Sequence, residues 1–260
     1  MKADFDEAAA HYDSTFTHSI IGQLQRTLVY NQLQPLLTDK EIRSILEINC
    51  GTGEDAIWLA GQNSKVTATD ISNKMIAMAK AKQTHDDVTF LQVDINDLSV
   101  FFQNEKFDLI FSNFGGLNCL SEIQMELFFK NASQLLTKKG KLVLVIMPRN
   151  TLWEQGYFLF KGKLNSVFRR KKASVIANVD CEKVITYYYN PKEILTLADY
   201  YFDVKQQNPI GFFVPPSYME PFFKNKPRFI AMLNAFEKKI TSCRFLAKYA
   251  DHYLIAFQKK

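Results

Sequence analysis

Between Ile45 and Met147 the chain alternates short β-rich runs with stretches of helical spacing. That alternation restricts it to one architecture, an open and mostly parallel sheet covered by helices on both faces. Ile45-Leu46-Glu47-Ile48 reads as a first strand, followed by the turn Asn49-Cys50-Gly51-Thr52-Gly53 and a helix through Ala60. Val66–Thr69, Val88–Val93, Phe107–Phe111 and Lys141–Met147 read as the next four strands. Asn73–Lys82 suits a helix. A second helix from about Ser121 to Leu136 is expected to stop at Lys138-Lys139-Gly140, with basic residues and then Gly where a C-cap belongs. Pro191–Ala198 suits a helix with Pro near its first position. Phe202–Lys205 and His252–Phe257 complete seven strands, and Phe229, Met232, Leu233 and Phe236 stand at helical spacing between them.

The expected organisation is one domain over 1–260. It comprises an N-terminal helical lid (1–40), a core (41–148), an insertion (149–190) and a C-terminal part of the sheet (191–260) carrying a helical insertion at about 212–250. The 47% apolar and 23% charged content is ordinary for a folded globular chain. A net charge of +5 falls short of a nucleic-acid signature. Cys50, Cys119, Cys181 and Cys243 have no paired spacing, and none of the four histidines stands at a ligand spacing, so neither a disulfide scaffold nor a metal site is expected. Met1–Asp6 carries acids and no apolar run, which does not suit a signal peptide, and no stretch reaches the roughly 18 apolar residues of a membrane span. A cytoplasmic location is the expectation.

Four features fall where an open parallel sheet holds a ligand, at the ends of successive strands. Gly51 and Gly53 permit close backbone approach, and the helix start behind them offers free N–H groups to a carboxylate. Asp70 ends the second strand and can accept hydrogen bonds from a ribose diol. Asp94-Ile95 follow the third strand, where a carboxylate and a neighbouring N–H can read an adenine edge. Ser112-Asn113-Phe114-Gly115-Gly116 follows the fourth. A nicotinamide-dependent dehydrogenase also uses a Gly-rich turn and a distant acid. Here the third glycine of that fingerprint is missing, and Glu54 and Asp55 at the helix start would repel a pyrophosphate.

The ordered set Ile45–Gly53, Thr69-Asp70-Ile71-Ser72, Val93-Asp94-Ile95, Phe107–Ser112 and Leu136–Leu144 resembles the five motifs of class I S-adenosylmethionine-dependent methyltransferases. The resemblance implies a Rossmann-like class I methyltransferase fold, a seven-stranded mostly parallel sheet with lid insertions. It implies S-adenosyl-L-methionine as cofactor and S-adenosyl-L-homocysteine as product. Glu47 would orient the methionine amino group, Asp70 hold the ribose, and Asp94 contact the adenine amine. Asn49, Gly51, Gly53, Ile71, Met75, Ile95 and Ser112 would complete the cofactor shell. Ala10-His11-Tyr12-Asp13 resembles the lid of small-molecule members, with Tyr12 over the methionine end. Asn49 departs from the family's Gly, but Asn tolerates positive φ best among other residues. Phe114–Asn118, Leu152-Trp153-Glu154, Pro215–Tyr218 and Ala250–Tyr253 resemble a bacterial subgroup of largely unassigned substrate.

Methyl transfer is an in-line displacement at an activated carbon, so a base is required only for a hydroxyl or protonated amine acceptor. His11, beside the lid Tyr, is the catalytic candidate, whereas His252 reads as structural. Asn118, Trp153, Glu154 and Tyr218 are candidates for lining the acceptor site. Lys161, Lys163, Arg169, Arg170, Lys171 and Lys172 lie in a stretch without acids and read first as a solvated loop. The expected partner is a small, apolar or aromatic acceptor rather than nucleic acid. An RNA or protein methyltransferase and a non-catalytic cofactor-binding protein are the alternatives; the strand-four loop lacks the Pro-Pro-aromatic element of nucleobase-amine enzymes.

Overall fold

The computed structural model describes residues 6–38, 42–179 and 182–260. The run Met1–Phe5, the lid boundary at 40/41 and Cys181 lie outside them. The N-terminal part holds α1 (Ala9–Tyr12) and α2 (Ile20–Leu37). Strands β1 (Ser44–Ile48), β2 (Lys65–Asp70), β3 (Val88–Gln92), β4 (Phe107–Ser112) and β5 (Leu136–Ile146) alternate with α3 (Glu54–Ala60), α4 (Asn73–Lys82), α5 (Leu98–Phe101) and α6 (Glu122–Leu135). Then come α7 (Leu152–Phe160), the hairpin β6 (Val175–Val179) and β7 (Glu182–Thr186), α8 (Pro191–Ala198), β8 (Phe202–Ile210), α9 (Glu220–Phe223), α10 (Pro227–Lys239) and β9 (His252–Lys259).

Seven strands form one sheet in the order β3-β2-β1-β4-β5-β9-β8. Pairings from β3 to β5 are parallel, and β9 runs antiparallel to both β5 and β8. Strand order reverses beside β1, so the crevice between the ends of β1 and β4 is where such a sheet binds ligands. Because β9 is antiparallel, its first residues return to that same edge, with Ile146 opposite Tyr253. Strands buried on both faces divide the core in two: α2, α3, α4 and α10 cover one face, α5, α6 and α8 the other. Among the described residues no helix is long and apolar enough to cross a membrane.

Local chemistry accounts for the boundaries. Ser72 Oγ accepts from Met75 N–H at the start of α4, and Asn190 with Glu193 forms a capping box ahead of Pro191 in α8. The expected stop of α6 at Gly140 is not found. The helix ends at Leu135, and Gly140 lacks the left-handed φ that a C-terminal glycine cap requires. Lys138 and Lys139 instead bulge to solvent inside β5, where the register jumps from Phe107–Leu136 to Leu109–Lys141 and Thr137 Oγ1 donates to Asp108. The helix α10 forms at the expected place with a different inward face. Ile230, Leu233 and Glu237 are buried, while Phe229, Met232 and Phe236 are exposed.

Candidate cofactor and acceptor site

The turn after β1 is built on three left-handed residues, Asn49 (φ 57°), Gly51 (φ 53°) and Gly53 (φ 79°). At Gly53 a side chain is impossible, since a Cβ would lie 2.7 Å from the Phe90 ring and 2.8 Å from Ala79 Cβ. At Gly51 the nearest atom to a Cβ is Tyr12 Cε1 at 4.0 Å, so the backbone there faces open room. Asp70 clasps this turn. Its Oδ2 accepts from Gly51 N–H and its Oδ1 from Ser72 N–H, both at 2.9 Å. Burial still holds the Asp70 carboxyl above its ordinary range, against the two backbone donors.

Glu47 and Ser112 lie one register step apart on the paired strands β1 and β4. Glu47 Oε2, Asn49 Nδ2 and Ser112 Oγ are all buried without a hydrogen-bond partner. Asn49 lines a small cavity together with Gly51, and Glu47 lies two residues before it; buried polar groups are normally satisfied, so unmet ones at the ends of paired strands mark a candidate ligand position. Burial, reinforced by the Asp55 charge, pushes the Glu47 carboxyl well up despite Arg26. The residues present fit the expected cofactor: Glu47 would meet a cation such as an ammonium, and Asp70 has lone pairs left that would accept from hydroxyls.

Asp55 forms a hub beneath this edge. It pairs with the Arg26 guanidinium and accepts from Tyr30 Oη (2.7 Å) and Asn113 Nδ2 (3.0 Å). Burial disfavours the Arg26 charge, but Asp55 outweighs it and holds the guanidinium ionised. Arg26 also sits over the rings of Phe114 (5.1 Å) and Phe16 (5.9 Å). Phe114 keeps a positive φ of 45°, a strained conformation for a bulky residue, and packs edge-on against Phe16 (4.9 Å) and His252 (5.6 Å).

His252 opens β9, with Nδ1 3.2 Å from Asp251 Oδ2. Asp251 accepts from Gln25 Nε2 at 3.1 Å and lies 3.6 Å from Arg170. Burial raises the Asp251 carboxyl, yet His252, Arg170 and Gln25 together bring it below its ordinary range. The N-terminal segment closes the site from above. Asp13 accepts from Thr52 Oγ1 (2.6 Å) and Lys82 Nζ (2.7 Å), and Asp6 from Ser72 Oγ (2.6 Å). Beneath it a cavity of about 30 Å³ remains between Tyr12, Arg26, Gly51 and Phe114. That is room for a water rather than a nucleoside.

Other expected residues are distributed unevenly. Tyr12 is half-buried over the cavity, and burial pushes its phenol up to about 12. His11 beside it is exposed. Met75 is buried under Ala8 and Ala9, Ile71 is exposed, and Ile95 is half-buried. Asp94 Oδ1 accepts from Asn96 N–H and Nδ2, a local cap. Asn118 is a strut, its amide bonded to backbone at Met147 and Tyr187, which leaves it no group for a substrate. Trp153 donates to Phe212 O and packs on Phe223, while Tyr218 is exposed. Glu154 is buried and gripped by Arg169 (2.7 Å) and Arg170 (2.8 Å), so these two arginines are not part of a solvated loop. Arg26 is the residue the sequence did not point to; Asp55, Asn113 and Asp251 stand in stretches named above, but their partners are remote in the chain and leave no local signature.

Residues 45–140 match the family model of a methyltransferase domain. A malonyl-[acyl-carrier protein] O-methyltransferase of Priestia megaterium is 36% identical over 118 residues, 44% of this chain and 39% of its own. A demethylmenaquinone methyltransferase of Clavibacter sepedonicus is 31% identical over 165 residues, 62% of this chain and 64% of its own. The chain thus spans between about two-fifths and two-thirds of these relatives. The N-methyltransferase NodS of Bradyrhizobium japonicum, solved with S-adenosyl-L-homocysteine, superposes with a TM-score of 0.55 at 16% identity, covering 93% of this chain and 89% of that one; at this identity the likeness is one of fold. The family-model match over 45–140, the strand order and the superposition agree on a Rossmann-like methyltransferase fold for this chain.

Proposed function

We propose that this protein is an S-adenosylmethionine-dependent methyltransferase whose acceptor is a small, apolar or aromatic molecule. The observation that carries the reading is that Glu47 Oε2, Asn49 Nδ2 and Ser112 Oγ, at the ends of the paired strands β1 and β4, are buried and unpartnered next to the turn with the open Gly51. Glu47 holds the amino group of the cofactor, the backbone at Gly51 receives its carboxylate end, and Asp70 takes the ribose. S-adenosylmethionine, when bound, supplies a methyl group already activated as a sulfonium. The chain's own work is then to position, to exclude water and to receive a proton where the acceptor has one to lose. Asp13 releases Thr52 and Lys82 so that the segment carrying Tyr12 lifts for entry and closes afterwards.

The acceptor side is aromatic. Phe16, Phe114 and Tyr12 enclose it, and Arg26 is already neutralised by Asp55 and so exerts little pull on an anion. His252, not the exposed His11, is the group placed to take a proton. Its Nδ1 stands 3.2 Å from Asp251 Oδ2 without a well-aligned hydrogen bond, and a proton on Nδ1 facing that carboxylate would leave Nε2 free to accept. Two relatives, a malonyl-[acyl-carrier protein] O-methyltransferase and a demethylmenaquinone methyltransferase, suggest the acceptor classes to try first.

The test is release of S-adenosylhomocysteine with a panel of malonyl thioesters, hydroxyquinones and phenols as acceptors. Turnover with at least one, reduced about a hundredfold in His252→Gln without loss of cofactor affinity, is the expected outcome. Turnover unchanged in His252→Gln contradicts the proton role. Cofactor binding without turnover on any acceptor favours a binding protein of the same fold.

A further inference from the structure

The two insertions carry the chain's charge asymmetry. Segments 149–179 and 211–250 together hold fourteen of the 32 Lys and Arg residues but only three of the 27 acids, Glu154, Glu220 and Glu237. All three acids are committed to internal partners. Glu154 is held by Arg169 and Arg170. Glu220 accepts from the N–H groups of Ile20 (3.1 Å) and Ile21 (3.0 Å) at the start of α2. Glu237 accepts from four successive N–H groups, Gly211 to Val214, at 2.6–3.0 Å. With their carboxylates turned inward, segments 149–179 and 211–250 present positive charge to solvent; Asp180 and Glu182 follow in the remainder of the first insertion.

The same segments expose large apolar side chains among those charges. Phe160 is 94% exposed and Leu164 66%, with Leu159, Phe168 and Phe222 also above half. Lys161, Lys163, Lys171, Lys224 and Lys226 alternate with them and are exposed. Two ammonium groups lie over neighbouring rings, Lys226 on Phe222 (3.2 Å) and Lys171 on Phe168 (4.5 Å), as stems do that reach past an apolar layer. The two insertions adjoin through Tyr157–Tyr218 and Trp153–Phe223, so their exposed residues belong to neighbouring surfaces.

We infer that the insertions dock this protein on an anionic lipid surface. Apolar residues set among lysines match the two contributions of peripheral binding, insertion of side chains at the headgroup boundary and attraction to acidic lipids. The type of cation favours lipid over a shaped protein partner. Arginine, which reads carboxylates by paired hydrogen bonds, is used at 169 and 170 inside the fold, whereas the outer charges are mainly lysine, a flexible point charge suited to a diffuse field. This inference concerns docking and stands independently of the methyl-transfer reading.

The experiment is co-sedimentation of the full chain with phosphatidylcholine vesicles, with and without phosphatidylglycerol, across a salt series. Binding only where phosphatidylglycerol is present, weakening as salt rises, is expected. The variant K161Q/K163Q is expected to bind about thirty-fold less tightly, at about 1 kcal/mol per lysine near the surface. Phe160→Ser is expected to bind at least about tenfold less tightly. Both sites are exposed, and unchanged circular dichroism and cofactor titration verify that each variant is folded. No sedimentation with acidic vesicles, equal sedimentation with both vesicle types, or wild-type binding by K161Q/K163Q would overturn the inference. Lysine-dependent capture of an acyl carrier protein without vesicle binding would likewise overturn it, and would assign the surface to an acidic protein.

Discussion

Glu47 on the sheet edge and Glu154 in the first insertion are both buried glutamates, yet the protein treats them in opposite ways. Glu47 lacks a partner for Oε2, and burial holds its carboxyl well above the ordinary range. Glu154 suffers the same desolvation, but hydrogen bonds from Arg169 and the charge of Arg170 more than offset it and bring its carboxyl below that range. The contrast separates a site from a scaffold. An unmet buried acid costs the empty protein stability, which the proposed cofactor role would offset on binding, whereas a met one belongs to the framework that holds the insertion against the core.

The largest expected effect lies on the scaffold side. Glu154→Ala takes from buried Arg170 its nearer carboxylate and leaves only Asp251 at 3.6 Å, and unfolding by urea is expected to show a loss of about 3 kcal/mol. A loss below about 1 kcal/mol would erase the distinction between the two acids. Next is Glu47→Gln. It is expected to weaken the cofactor about thirtyfold, near 2 kcal/mol for a charged hydrogen bond, while the empty protein is as stable as before or more so. A variant that loses stability and keeps its affinity would reverse the assignment.

The pH responses sharpen the same comparison and run in opposite directions. The raised Glu47 carboxyl favours folding fully below its unfolded pKa, and that contribution is lost as pH rises through the folded value. The depressed Glu154 carboxyl contributes above its unfolded pKa, and its contribution is lost as pH falls through the folded value. The stability difference between wild type and Glu47→Gln is therefore expected to widen on the alkaline side. That between wild type and Glu154→Gln is expected to shrink in acid. The smallest effect is that of Phe160→Ser on stability, expected within about 0.5 kcal/mol because the ring is exposed; a larger loss would place it in the core.

The same two regions differ in how far the sequence discloses them. Each strand from β1 to β4 is a short run dominated by β-branched, aliphatic or aromatic residues and closed by turn residues, so its end, and with it the position of Glu47, Asn49, Gly51 and Asp70, is legible locally. Asn49 takes the positive φ expected where the resembled family has Gly, a region asparagine tolerates. Lys138-Lys139-Gly140 misleads because a basic bulge inside a strand carries the same letters as a helix stop. The hub and the acceptor side are invisible locally. Arg26 meets Asp55 across 29 residues and Gln25 meets Asp251 across 226, and only the return of β9 to the sheet edge brings His252 to Phe114. The carboxylates of the insertions were equally unreadable, since whether an acid faces water depends on a partner elsewhere in the chain.

The most direct test is calorimetric titration of the purified protein with S-adenosylmethionine and S-adenosylhomocysteine, with NAD as control, in wild type and Glu47→Gln. The account predicts micromolar binding of both sulfur compounds to the wild type, about thirtyfold weaker binding to the variant, and none of NAD. Absence of binding by either sulfur compound, or equal binding by wild type and variant, would contradict the claim that the unpartnered sheet-edge acid is the cofactor's counterpart.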